Sequence, residues 1–242
     1  MDAHRKDSRD AIDMPVVCKA CEARHDGICG ALSMPQLIEL SRQSSRHRVA
    51  AGGEVIGQGQ PVSSYSNILR GVVKLSKMMA DGRQQIVGLQ FAPDFLGRPF
   101  QQESAVTAEA ATDTDICVFP RVLMERIVAE APDFEHRLHS QALKELDTAR
   151  DWMLTLGRKT AHEKVASFLH MIAIHMDAAT GNRTSFDLPL SRADIADFLG
   201  LTIETVSRQI TRLRKDAVIV IENNRHVIVP DLGRLKLAAG ND

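Results

Sequence analysis

The segment from Leu190 to Asp216, LSRADIADFLGLTIETVSRQITRLRKD, leaves this chain fewer choices than any other stretch. Ser191 is a good helix cap, and Asp194, three residues on, suits the helix's positive end. Ile195, Ala196 and Leu199 give that helix an inner face. Gly200 can take the left-handed conformation that ends it, Leu201 fills the corner, and Thr202 caps a second helix. Ala196 is small where the two helices must cross closely, and Val206 lies where the second packs back on the first. Those constraints are the ones a helix-turn-helix imposes. Along the second helix Ile203, Val206, Ile210 and Leu213 recur at helical spacing and are expected to be buried. Glu204, Ser207, Arg208, Thr211 and Arg212 are expected to face outward.

From Thr205 to Lys215 there are four basic residues and no acid, in a chain whose formal net charge is −1. A nearly neutral protein can attract DNA only through such a local patch. An outward glutamate there repels phosphate. It fits if Glu204 accepts a hydrogen bond from cytosine N4 while Arg208 takes guanine O6 and N7. The alternative is that Glu204 only complements the helix N-terminus. VIVIENNRHVIVP follows, two β-branched strands about Asn223-Asn224, and predicts a winged helix-turn-helix. Arg225 in that turn suits either a phosphate or plain solvent.

The rest of the chain reads as α+β. Between Arg46 and Pro120, AAGGEVIGQGQ, SNILRGVVKLSKMM, QQIVGLQFAPDF and DTDICVFP alternate apolar and polar residues between Gly, Asp and Pro breaks. Parallel strands need helix-length crossovers, and none fits here, so an antiparallel β-roll of about eight strands is expected. Short helices are predicted over Met34–Ser45 and Val122–Glu130, and further ones over Phe134–Leu156 and Thr160–Met176. In the long helix Ala142, Leu146, Ala149, Met153 and Leu156 step four, three, four, three, the spacing of a coiled-coil seam. Its position between two domains favours a dimerisation helix over one packed on its own domain. The expected organisation is a leader and cysteine-rich loop over 1–30, a roll over 31–132, the dimerisation helix over 133–157, and the winged domain over 158–242.

Composition removes several function classes. Aromatics are only 4% of residues, too few for a protein that stacks single-stranded bases. No apolar run is long enough to cross a membrane, and MDAHRKDSRDAIDMP lacks the apolar core of a signal peptide. A cytoplasmic protein with a mobile leader and no membrane partner is expected. In that reducing setting, four cysteines suggest metal or redox chemistry before disulfides. CKACEARHDGIC places Cys18, Cys21 and Cys29 together, and a C-x2-C pair can converge on one metal centre. Cys117 lies in a predicted strand, where a free cysteine is commonly packing, but it is the only partner left for the other three. Four thiolates can hold a [4Fe-4S] cluster or a zinc ion. One knuckle, one loose cysteine and one remote cysteine suit the cluster better than paired zinc knuckles do. Nine histidines make haem conceivable, but none is distinctively placed. No nucleophile–base pair or Gly-rich phosphate loop points to an enzyme.

Taken in order, these parts resemble the FNR-type iron–sulfur oxygen sensors of the CRP/FNR superfamily of bacterial transcription regulators, along nearly the whole chain. The stretch ETVSR, Glu204 to Arg208, looks like the FNR recognition sequence. The resemblance implies that Glu204, Ser207 and Arg208 read a TTGAT-type half-site. It implies that Cys18, Cys21, Cys29 and Cys117 are cluster ligands, although the gap between Cys21 and Cys29 is longer than in the best-known member. It further implies a cyclic-nucleotide-binding-like roll and a homodimer on pseudo-palindromic double-stranded DNA. Asp81 to Gln85 would be a contact for RNA polymerase. Cluster assembly would favour the dimer and oxygen would undo it; Ile28 would limit access or be an ordinary buried side chain, and Asp147 and Asp151 would either oppose pairing across the seam or be simply solvated. The nucleotide-binding relatives carry a Glu and an Arg-Ser pair in the roll. FLGRPFQQESAVTAEA has Arg98 near the glutamate's place and no Arg-Ser pair, so a cAMP response is not expected.

Overall fold

The computed structural model describes residues 16–19, 21–176 and 184–240. The expected mobile leader lies outside them, as does most of the polar turn ATGNRTS at Ala179–Ser185. The chain forms two compact units, parted within the long helix after Glu145, with Met79–Gly88 belonging to the second.

The first unit opens with two single-turn helices, α1 (Val16–Lys19) and α2 (Glu22–His25), and a 3-10 turn at Ile28–Ala31. The cysteine segment is therefore helical in pieces where a plain loop was expected. These turns are too short for apolar periodicity to announce them. Helix α3 (Met34–Gln43) is closed by a capping box between Ser33 and Gln36. Eight strands follow: β1 (Ser45–Val49), β2 (Glu54–Ile56), β3 (Ser64–Arg70), β4 (Val72–Met78), β5 (Gln84–Phe91), β6 (Phe95–Leu96), β7 (Thr107–Ala110) and β8 (Thr114–Pro120). They form two four-stranded sheets, ordered β1-β8-β3-β6 and β2-β7-β4-β5. The pairings β1–β8, β3–β8, β3–β6, β2–β7 and β4–β7 are all antiparallel, as the lack of crossovers requires. Gly71 makes the turn from β3 to β4 possible. Its φ is 95°, and a Cβ there would stand 2.6 Å from Thr114 Oγ1.

The main core joins the cysteine segment to the roll and to the helices after it. Ile28, Cys29, Leu37, Leu40, Tyr65, Phe119, Met124 and Phe134 are buried in one cluster, with Cys18, Cys117 and Leu138 packed against it. Helix α4 (Arg121–Glu130) is followed directly by the long α5 (Pro132–Arg158). Phe134 is buried at the start of α5, yet every residue from Ala142 to Asp151 is exposed.

The second unit contains α6 (Ala161–Met176), β9 (Thr184–Asp187), α7 (Arg192–Leu199), α8 (Ile203–Lys215), β10 (Val220–Glu222), β11 (His226–Val229) and α9 (Leu232–Ala238). The strand order is β10-β11-β9, antiparallel throughout. Phe168, Leu169, Ile195, Leu199, Val206, Leu213 and Val227 are buried here. Trp152 meets Phe198 edge-on at 4.6 Å. Strand β9 and helix α9 were not expected. Strand β9 has only four residues, and its buried Thr184 and Phe186 alternate too briefly to stand out from the preceding turn. Among the described residues, no helix is long and apolar enough to cross a membrane.

Candidate nucleic-acid interface and cysteine centre

The corner between α7 and α8 is built by local chemistry. Ser191 Oγ accepts from the Asp194 backbone N–H at 3.1 Å, and Asp194 Oδ2 accepts from Ser191 N–H at 3.2 Å. Gly200 ends α7 at φ 61°, and Leu201 N–H donates to Ala196 O at 3.0 Å. Thr202 then caps α8 through Thr205 N–H at 3.2 Å. Val206, Ile210 and Leu213 are buried as expected, but Ile203 is 47% exposed. Val206 is the first buried residue of α8, and the helix is open to solvent at Ile203 and Glu204.

Glu204, Ser207, Arg208 and Arg212 all lie exposed on α8, while Thr211 is half-buried at the edge of that face. Thr211 Oγ1 donates to Ser207 O at 2.9 Å, a bond to the backbone of its own helix. The Glu204 carboxyl is held below the usual carboxylate range by its own backbone N–H and then by Thr202. It is therefore an ionised acceptor, and it complements the helix N-terminus in the free protein. Arg212 makes a loose pair with Asp216 at 3.7 Å, while Arg208 has only a weak contact, 3.5 Å, with Thr205 Oγ1. The wing turns through Asn223 and Asn224, with φ 50° and 58°. Arg225 Nε donates to Leu188 O at 3.1 Å, so this arginine ties the wing to the chain before α7.

The four cysteines come together although β8 is remote in sequence from the first three. Cys29 sits buried in the 3-10 turn, and its Sγ accepts from Asn67 Nδ2 at 3.2 Å. Cys117 on β8 stands opposite Asn67 on β3 and opposite Arg46 on β1. Burial pushes the Cys29 thiol up to about 12, reinforced by Cys117, Cys21 and Cys18. Burial also raises Cys117, with Cys18 and Cys21 adding to it while Ser44 and Arg46 oppose. Cys18 is raised by burial and then by Cys21, against Arg46 and Arg24. The thiols of Cys29, Cys117 and Cys18 are thus each raised in part by neighbouring cysteines. Among the described residues, no three Cys, His, Asp or Glu side chains stand as close as the ligands of a single metal ion. A basic groove of about 570 Å³, lined in part by Arg46, Arg48 and Arg70, opens beside Cys21. The donor set fits a thiolate-held group. It offers four sulfurs on neighbouring elements, with guanidinium charge nearby to offset a net negative centre.

Two features connect this centre to α5. Ile28, next to Cys29, is 1% exposed within the core that also holds Phe134 and Leu138. Arg137 of α5 donates to the backbone oxygen of Asp26 at 2.7 Å. Further along α5, Ala142, Leu146, Ala149 and Met153 are exposed and Leu156 is half-buried. Asp147 is paired with Arg150 at 3.1 Å on the same helix and Asp151 is exposed, so Asp147 does not stand as an uncompensated charge beside the seam.

A β-roll joined through a long helix to a winged helix-turn-helix defines a class of DNA-binding regulator, and the comparisons with known proteins agree. Residues 46–131 match the cyclic nucleotide-binding domain and residues 163–238 the Crp-like helix-turn-helix domain. The chain is 66% identical over 222 residues to a "Probable transcriptional activator" of Rhizobium leguminosarum bv. viciae, covering 92% of each chain. It is 44% identical to the "Transcriptional activator protein FnrL" of Cereibacter sphaeroides, over 93% of this chain and 92% of the relative. The solved structure of FixK2 from Bradyrhizobium japonicum superposes with a TM-score of 0.73 at 30% identity, over 81% of this chain and 96% of that one. The chain belongs to the CRP/FNR family of transcription regulators. These relatives are named as regulators and not as enzymes.

Proposed function

We propose that this chain is an oxygen-responsive transcriptional activator, holding a [4Fe-4S] cluster on Cys18, Cys21, Cys29 and Cys117. In this reading it acts in the cytoplasm as a homodimer on TTGAT-type palindromic sites and engages RNA polymerase. The observation that carries it is that Cys18, Cys29 and Cys117 share one core cluster, with Cys21 lining the basic groove that Arg46, the strand partner of Cys117, also lines. A tetrahedral zinc site with Zn–S near 2.3 Å would draw its sulfurs to about 3.8 Å of one another. One C-x2-C pair with a loose and a remote cysteine suits a cubane better than paired zinc knuckles. The names of the relatives, two of them activators, support the same direction of regulation.

When bound, the cluster supplies an oxygen-labile crosslink between the cysteine segment and β8. The chain's own residues do the rest. Arg137 and the shared core of Ile28, Phe134 and Leu138 connect the cysteine segment to the first turns of α5. Order in that segment therefore biases how α5 presents Leu146 and Met153 to a second copy. Pairing along α5 would set two α8 helices about 34 Å apart, one turn of DNA. On each half-site Glu204 accepts from cytosine and Arg208 donates to guanine, with Ser207 and Thr211 beside them and Arg212 on phosphate.

The test is anaerobic purification, assay of iron, sulfide and zinc per chain, and admission of air with the visible spectrum recorded. Iron and sulfide near four each, with a band that bleaches in air, is the expected result. Zinc alone, or no metal after reconstitution, would overturn the cluster and leave a DNA-binding regulator with a different signal.

A further inference from the structure

Asn67 is 1% exposed, in the middle of strand β3, a position that ordinarily takes an apolar side chain. Its Nδ2 donates to Cys29 Sγ at 3.2 Å, and its Oδ1 is buried without a partner among the described residues. An unpaired buried carbonyl is costly, and a leucine of similar size would carry no such cost. Core packing therefore does not account for this residue, and the sulfur contact does. The register adds a second point. Asn67 stands directly opposite Cys117 on β8, and facing residues of paired strands share a face of the sheet. The amide is thus placed between a cysteine of the N-terminal segment and the remote cysteine of the roll.

We propose that Asn67 is a positioning and tuning residue of the cysteine centre, whose amide N–H steadies the metal-bound Cys29 thiolate and slows its loss to oxygen. The inference rests on the reading that these cysteines bind metal, and it extends that reading to a residue that binds no metal itself. An N–H donor to a coordinating thiolate withdraws electron density from the sulfur. It thereby raises the potential of an attached iron–sulfur centre, and a centre that holds its electrons more tightly reacts more slowly with oxygen. The same hydrogen bond fixes the Cys29 rotamer before metal arrives, which favours binding of any thiophilic ion.

The experiment compares the full-length wild type with Asn67→Leu and Asn67→Val, neither of which can donate. Three quantities are read anaerobically: the melting temperature of the metal-free protein, the affinity for cobalt(II) from thiolate-to-metal absorption, and the bleaching half-time of the reconstituted cluster after admission of air. Melting at or near the wild-type temperature is expected, because the orphaned carbonyl is gone. Cobalt should bind about tenfold more weakly, the usual effect of removing an outer partner of a metal ligand, and bleaching should be faster by a similar factor. Wild-type affinity and half-time in both variants would overturn the proposal. So would a fall in melting temperature large enough to explain the weaker binding, which would make Asn67 merely structural. A wild type that gives the thiolate–cobalt band but assembles no cluster would refute the oxygen reading, and Asn67 would then stand or fall on the cobalt affinities. A wild type without that band would overturn both.

Discussion

Met153 is 73% exposed on α5, a large apolar side chain in water unless a second copy covers it. Replacing it with alanine tests the dimer seam with little risk to the fold. Full burial of a methionine is worth about 2 kcal/mol, so covering the exposed fraction gains about 1.5 kcal/mol, of which alanine retains about a third. A two-fold interface counts the loss in both chains, giving about 2 kcal/mol per dimer. At about 1.4 kcal/mol per tenfold, the dimer of the M153A protein should dissociate about thirtyfold more readily. Sedimentation equilibrium on the anaerobic protein measures this directly. Thermal unfolding of the separated monomer should shift by less than about 0.5 kcal/mol, since the side chain is exposed there. A dissociation constant within about threefold of wild type, well under the factor worked out here, would refute the argument that this face of α5 is the dimer interface.

Arg208→Ala should lower affinity for the cognate site by about 1–3 kcal/mol while leaving random DNA little changed, whereas Arg212→Ala should weaken all sequences alike. Equal losses on cognate and random duplexes for Arg208→Ala, in a fluorescence-anisotropy titration, would remove base reading from that residue. A third expectation concerns pH. Burial, and then its bond to Glu125 at 2.8 Å, pushes the Tyr65 hydroxyl up from 10.0 to about 12. A pKa raised in the folded state gives stability that is fully present below the ordinary tyrosine value and is lost as pH climbs toward the folded one. The urea midpoint of the metal-free protein should therefore fall through that alkaline window, and Tyr65→Phe should flatten this component. An unchanged slope in the variant would show that another group titrates there.

The helix-turn-helix was legible residue by residue because its constraints are local. A cap, a left-handed glycine and two inward faces all lie within one short segment, and Ser191, Gly200 and Thr202 occupy those roles in the structure. Ile203 was misread because helical spacing gives a side chain's direction and says nothing of where the supporting surface ends. Thr211 is expected outward on the same basis, and it lies half-buried at the edge of that face. Strand β9 escaped notice because a four-residue strand depends on its partner β11 and has no periodicity of its own.

What the sequence determined by itself was the succession of roll, long helix and winged helix-turn-helix, the absence of room for parallel crossovers, the chemistry available to four cysteines, and the apolar seam of α5. Each follows from spacing along the chain and from what backbone and side chain can do within a few residues. Only the tertiary structure decided that Cys117 returns to Cys29, that Asn67 stands between them, and that Arg137 reaches the carbonyl of Asp26. Those contacts join positions far apart in sequence. Strand register and core packing bring them together, and neither leaves a local pattern in the sequence to read.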